Sequence, residues 1–89
     1  MKEPYLAVTF RHGQALAAYY YLPRAAGEVS ARTRRVEPGM LIDYNANGSP
    51  IGIEITAPSR LSLEDFNQVL QDLGLPRASV GDLAPLHAG

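Results

Sequence analysis

The sequence predicts an α+β fold, an antiparallel β-meander of about five strands with one C-terminal amphipathic helix packed on a face. Two observations indicate the sheet: apolar and polar residues alternate early in the chain, and an Asn-Gly pair joins two apolar stretches. A third indicates the helix, because apolar residues after Pro58 recur at intervals of three and four. We therefore expect a single domain over residues 1–89, with the sheet at about 5–56, the helix at about 62–73 and a tail at 77–89.

The first three strands are predicted from alternation and from the turn residues between them. Residues 5–11 alternate between large apolar and smaller or polar side chains, which is typical of a strand with one buried face. His12-Gly13 predicts a turn, and residues 15–22, rich in Ala and Tyr, predict the second strand of a hairpin. A third strand is expected from about residue 29 to about residue 36.

The fourth and fifth strands, at residues 40–44 and 51–56, form the best-defined part of the predicted sheet. Asn47-Gly48 is a preferred central pair for a two-residue type I′ turn, in which both central residues have positive φ. The resulting register pairs Tyr44 with Ile51, Ile42 with Ile53, Met40 with Ile55, Asp43 with Gly52 and Leu41 with Glu54. One face of this hairpin then carries large apolar side chains, which we expect to belong to the core.

A helix is predicted after Pro58, with Ser62 as its N-cap and Asp65 in the position of a capping box. Its apolar face consists of Phe66, Val69, Leu70 and Leu73. Gly74 is expected to end the helix at the C′ position. The tail is expected to hold one helical turn at about residues 79–83 and to dock on this domain or on a neighbouring chain.

The composition excludes some kinds of site and argues against others. There are no cysteines, which excludes disulfides and thiolate-bound metals and is consistent with a cytoplasmic location. Eight basic residues balance nine acidic ones, whereas proteins that bind nucleic acids usually carry a clear positive excess. We expect no signal peptide and no membrane-spanning segment. Because a chain of this length buries a thin core, self-association as a homodimer is expected.

The segment from Asp43 to Glu54 matches the calcium-binding loop of EF-hands, with Asp43, Asn45, Asn47 and Glu54 as candidate metal ligands. Calcium prefers such oxygen ligands, and a glycine occupies the sixth position of the loop, as the motif requires. An EF-hand loop joins two helices, however, whereas strands are predicted on both sides of this segment. A β-hairpin with a polar turn is therefore the favoured interpretation, and the metal site is the alternative.

The stretch around this segment has the sequence Gly39-Met40-Leu41-Ile42-Asp43-Tyr44-Asn45-Ala46-Asn47-Gly48-Ser49-Pro50-Ile51-Gly52-Ile53-Glu54-Ile55. It resembles the signature of an uncharacterised bacterial family, domain of unknown function 2283 (DUF2283). Members of that family share an acidic residue, a short polar turn ending in glycine, and a strand similar to Gly-Ile-Glu-Ile. The resemblance covers about residues 6–56 and implies a small β-rich domain without a known activity. Some members are suspected to be antitoxin-like partners of small toxins.

Asp43 and Glu54 are predicted to be neighbours on the face of the hairpin opposite the core. They have two interpretations: a paired-carboxylate site for metal binding or acid–base chemistry, or ion pairs with Arg32, Arg34 or Arg35 of an adjacent strand. The second is favoured because structural ion pairs outnumber catalytic pairs. The same three arginines form the only basic cluster in the sequence and are candidates for contacting a phosphate backbone, although a solvated strand is favoured.

The remaining candidate residues are Tyr19-Tyr20-Tyr21, His12 and His87. The tyrosines suit packing or a dimer contact better than base stacking, because no positive charge accompanies them in the strand. Neither histidine has a ligand-like or catalytic neighbour in the sequence. No catalytic constellation or cofactor motif is found, so we expect no enzyme and no cofactor. The leading hypothesis is a non-enzymatic interaction module, homodimeric, that partners another small protein.

Overall fold

Five antiparallel strands form one open sheet, and the helices follow the last strand in the chain. The computed structural model describes residues 3–24 and 27–87. The strands are β1 (Tyr5–Arg11), β2 (Gln14–Tyr21), β3 (Arg32–Val36), β4 (Met40–Tyr44) and β5 (Pro50–Ile55). The helices are α1 (Leu63–Asp72) and α2 (Val80–Leu83), with 3₁₀ turns at Pro58–Arg60 and Ala84–His87. The α+β class is confirmed. No helix in the described ranges is long and apolar enough to cross a membrane.

The order of the strands is β1-β2-β5-β4-β3, so the prediction of a simple meander was wrong. β2 pairs with β5 instead of β3, which places Tyr20 beside Ile53 in the middle of the sheet. β3 lies at the edge, where four of its five residues, three of them arginines, are exposed, and charged side chains there discourage a further strand from pairing. β3 also begins at Arg32, later than predicted.

The β4–β5 hairpin has the predicted register over most of its length but a different turn. Ile42 pairs with Ile53, Met40 with Ile55, Asp43 with Gly52 and Leu41 with Glu54, as predicted, whereas Tyr44 pairs with Pro50 and the register shifts at this point. The prediction of Tyr44 opposite Ile51 was therefore wrong.

The side chain of Asn45 explains the change of turn. Its Oδ1 accepts hydrogen bonds from the backbone N–H of Asn47 at 3.0 Å and of Ser49 at 2.9 Å. The turn therefore spans Asn45 to Gly48, whose N–H bonds the Asn45 carbonyl at 3.0 Å. Gly48 has a φ of 84°, but Asn47 does not have positive φ, so this is not the predicted type I′ turn. Positive φ at both central residues occurs instead at His12-Gly13, at 54° and 77°.

One face of the sheet packs against the helices. Its buried side chains include Ala18, Tyr20, Met40, Ile42, Ile53 and Ile55, and the helical segment contributes Leu61, Phe66, Val69, Leu70, Leu83 and Leu86. The ring of Tyr20 meets Phe66 edge-on with centroids 4.9 Å apart. Leu83 and Leu86 show that the tail docks on its own domain, and α1 is therefore not the last helical element.

The ends of α1 are those predicted. The Ser62 hydroxyl accepts a hydrogen bond from the N–H of Asp65 at 3.0 Å. At the other end Gly74 has a φ of 73°, and the N–H of Leu75 bonds the carbonyl of Leu70 at 2.9 Å, which is the pattern of a Schellman motif. The tail turn is also confirmed: α2 begins after Ser79, whose side chain forms a capping box with Asp82.

Asn67, which sequence patterns did not single out, holds the tail against α1. Its amide is buried, donates to the carbonyl of Ala78 at 3.0 Å and accepts from the N–H of Ala78 at 2.7 Å.

We expect Asn67→Ala to lower the free energy of unfolding by about 1–2 kcal/mol, because it leaves both backbone groups without their partner. Urea denaturation measures this loss. Gln68→Ala, at an exposed neighbouring position, is the control, and an equal loss in both variants would contradict the role given to Asn67.

Candidate functional site

The sheet face opposite the helices is the candidate site, and we call it the open face. In the part of the chain that the structure describes, no helix packs over it. By strand alternation it carries Tyr5, Ala7, Ala17, Tyr19, Tyr21, Thr33, Arg35, Leu41, Asp43, Gly52 and Glu54. The connection between β2 and β3 reaches it at Ser30, which approaches Asp43. The open face therefore displays side chains from all five strands.

The carboxylate of Asp43 is the centre of a hydroxyl network on the open face. Tyr19 of β2 donates to Oδ2 at 2.7 Å, and Thr33 of β3 donates to Oδ1 at 2.6 Å. Ser30, in the connection before β3, donates to Oδ1 at 3.2 Å. Because hydrogen bonds to an ionised carboxylate are stronger than neutral ones, this network ties β2, β3 and β4 together across the sheet.

Gly52 makes the bond between Tyr19 and Asp43 possible. β5 lies between β2 and β4, and Gly52 is the residue of β5 directly opposite Asp43. The phenol ring of Tyr19 crosses β5 at this point, and a Cβ on residue 52 would overlap the ring at Oη, Cε2 and Cζ. The glycine is therefore required for the close approach of a side chain, since its φ is not in the left-handed region.

The network sets the ionisation of both partners. Burial of Asp43 on its own would raise its pKa, but the hydrogen bonds from Thr33, Tyr19 and Ser30 and the nearby charge of Arg24 outweigh burial and lower it. For Tyr19, burial, the hydrogen bond to Asp43 and the negative charge of Asp43 all raise the pKa well above its ordinary value. At neutral pH the pair is a carboxylate and a neutral phenol.

Aromatic rings cover the β1–β2 side of the open face. Tyr5 stacks on Tyr21 with centroids 4.6 Å apart, and Tyr19 meets Tyr21 edge-on at the same distance. The guanidinium of Arg24 lies 5.2 Å from the ring centre of Tyr21. Tyr5 is 52% exposed, whereas Tyr19 and Tyr21 are half-buried by their neighbours. The three tyrosine rings form a contiguous aromatic cluster beside the hydroxyl network.

The four candidate metal ligands are not brought together. Both oxygens of Asp43 accept hydroxyl hydrogen bonds, and Oδ1 of Asn45 is bonded to backbone N–H groups of the turn. Asn47 lies in the exposed turn and Glu54 is exposed on β5, so strands flank the segment, as the hairpin interpretation expects. Within residues 3–24 and 27–87, no group of three or more His, Cys, Asp or Glu side chains is placed to hold a metal ion.

The arginines of β3 have partners other than the predicted carboxylates. Arg34 donates to the hydroxyl of Tyr44 at 3.1 and 3.0 Å, and Arg32 lies over the same ring at 5.2 Å. Arg35 forms an exposed ion pair with Glu37 at 3.3 Å. The predicted pairing of Asp43 with these arginines was wrong, because Asp43 faces Thr33 in the register of β3 and β4.

Sequence reasoning placed Asp43 and Glu54 correctly on the non-core face but missed the hydroxyl network. The predicted pairing of Asp43 with Gly52 was an indication of it. Because glycine has no side chain, it leaves room above β5 for a large side chain from the neighbouring strand to reach Asp43. His12 and His87 are both exposed, in the β1–β2 turn and at the end of the last 3₁₀ turn. The structure brings neither of them into the open face.

Comparison with known proteins supports the resemblance to DUF2283. A family model described as protein of unknown function (DUF2283) matches residues 17–58 of the chain. The matched segment contains Tyr19, Ser30, Thr33, Asp43 and Gly52, which together form the hydroxyl network and the glycine over which it passes. Neither the curated proteins nor the solved structures gave a match.

Proposed function

We propose that the protein is a non-enzymatic interaction module that acts as a homodimer and binds a small protein partner through the open face. The observation that carries this proposal is the aromatic cluster of Tyr5, Tyr19 and Tyr21, which lies on a sheet face without a helix over it in the described ranges. Tyrosine is enriched in the cores of protein interfaces, where its ring is buried and its hydroxyl finds a partner.

The ionisation of the network supports binding in preference to acid–base chemistry. A general acid or base works best with a pKa near the working pH. The pKa of Asp43 is shifted down, by hydrogen bonds that outweigh its burial, and that of Tyr19 is shifted up, chiefly by burial. Each pKa therefore moves away from neutrality, and the hydrogen bonds of Asp43 serve to hold the surface in shape.

The shape of the open face also supports a protein partner. Ala7 and Ala17 are small and Gly52 has no side chain, so the tyrosine rings are the large side chains on this part of the open face. Exposed charges, Arg35 and Glu54, lie toward the β3 side of the aromatic cluster. An aromatic patch with charged residues beside it is a common arrangement in protein interfaces.

A small toxin is the partner class that the family resemblance suggests, and a cytoplasmic location belongs to the same proposal. Co-purification with the untagged protein at native levels tests the binding. We expect a small protein to be retained by the wild type and lost with Tyr21→Lys, which places a charge in the centre of the cluster. Gln68→Lys, on an exposed position of α1, is the control. Equal retention by both folded variants would argue against the open face as the binding surface.

A further inference from the structure

The two edge strands of the sheet differ in how well they are protected from pairing with another strand. β3 carries Arg32, Arg34 and Arg35 among its five residues, and charged side chains discourage the approach of a second strand. β1 has one charged residue, Arg11 at its C-terminal end, and no proline. It is also the longer of the two, with seven residues against five. β1 is therefore an unprotected edge.

Exposed apolar side chains are concentrated at this edge. Tyr5 is 52%, Phe10 46% and Leu16 53% exposed, and they are three of the five large hydrophobic residues exposed in the described part of the chain. All three lie in the β1–β2 hairpin, whereas the other two, Val29 and Val80, lie outside the sheet. Phe10 is on the same side of β1 as Leu6 and Val8, which pack against the core.

We propose that β1 pairs antiparallel with β1 of a second copy of this chain, in the register that places Val8 opposite Val8 of the second copy. The inference rests on the homodimer of the proposed function and assigns its interface. This register pairs all seven residues of the strand. It places the exposed ring of Phe10 opposite Leu6 of the second copy, on the side where both cores lie, and places Tyr5 opposite Arg11, so no like charges meet.

The symmetry of this pairing places the open faces of both copies on the same side of the dimer. An antiparallel pair of identical strands has a two-fold axis through its centre, which is the symmetry of most soluble dimers. Because Leu6, Val8 and Phe10 of both copies stay on one side, the two open faces lie together on the other side. The dimer thus forms one continuous sheet from two five-stranded halves and presents two copies of the aromatic cluster to a partner.

Light scattering of the purified full chain tests the interface. We expect a dimer for the wild type, a dimer for Val80→Lys, and a dissociation constant about tenfold to a hundredfold weaker for Phe10→Lys, because an exposed apolar ring that is buried on pairing is replaced by a charge. Far-UV circular dichroism confirms that the variants are folded. A wild-type monomer would overturn the homodimer itself. A wild-type dimer that Phe10→Lys leaves intact would overturn the β1 interface alone.

Introduced cysteines test the register, since the natural chain has none. Val8→Cys is expected to form a disulfide dimer on mild oxidation, because paired residues of antiparallel strands have Cα atoms within disulfide range. Tyr5→Cys is the control, since its two copies would be separated by about 20 Å along the paired strands. A mixture of Leu6→Cys and Phe10→Cys chains is expected to form the mixed disulfide. Cross-linking of Tyr5→Cys but not of Val8→Cys would overturn the register.

Discussion

Gly52→Val is expected to lower the free energy of unfolding by about 3 kcal/mol, a large effect for a substitution that normally favours a strand. A side chain at residue 52 occupies the space of the Tyr19 ring, so the ring must leave its position over β5. Tyr19 then loses its 2.7 Å hydrogen bond to Asp43, and the carboxylate loses one of its three hydroxyl donors. Chemical denaturation measures the loss.

The background of Tyr19→Ala separates this mechanism from a general cost of changing Gly52. Without the ring, the space above Gly52 is free, and valine is a better strand residue than glycine by roughly 1 kcal/mol. We therefore expect Gly52→Val to be neutral or stabilising in that background, so that the sign of its effect changes. A loss of the same size in both backgrounds would show that the glycine is needed for another reason.

Much of the fold followed from local patterns. The β4–β5 register was predictable because an alternating apolar face and a turn signal agreed, and four of its five predicted pairs occur in the structure. The ends of α1 were predictable for a similar reason, since Ser62 and Gly74 satisfy backbone groups within one turn of their own position. Such features depend on neighbours in the chain and need no knowledge of the rest of the fold.

The strand order depended on contacts between distant segments. Alternation shows that a strand has a buried face but does not say which strand lies beside it. The pairing of β2 with β5 brings together residues separated by more than thirty positions, such as Tyr20 and Ile53. The exposed arginines of β3 were the available clue, because they are better tolerated at an edge than in the centre of a sheet.

The hydroxyl network could not be predicted because it also joins distant segments of the chain. In addition, two of the arginines proposed for Asp43 were assigned to the wrong face of β3. Tyr19 and Asp43 are 24 residues apart and become close only when β2 lies beside β5. The arginines proposed for Asp43 include Arg32 and Arg34, which point to the helix side of β3 with Tyr44. The residue of β3 that faces Asp43 is Thr33, so a hydroxyl takes the place of the expected cation.

Asp43→Asn is expected to lower the free energy of unfolding by about 2–3 kcal/mol at neutral pH, because the hydrogen bonds of Tyr19, Ser30 and Thr33 lose their charged acceptor. The open face should lose its shape with the network, so partner binding should weaken as well. Glu54→Gln, an exposed carboxyl on the same face, is the control for stability and is expected to leave the free energy of unfolding nearly unchanged.

The pH dependence of stability distinguishes a charged network from simple packing at Asp43. The folded-state pKa of Asp43 is lowered, because hydrogen bonds from Thr33, Tyr19 and Ser30 outweigh the opposing effect of burial. Its contribution to stability is therefore complete above the unfolded carboxyl pKa of about 4 and is lost as the pH falls through the lower folded value. We expect the wild type and Asp43→Asn to differ most at neutral pH and to converge in acid, as measured by urea denaturation from pH 7 to pH 2. Curves that stay parallel through this range would mean that the carboxylate charge does not stabilise the open face.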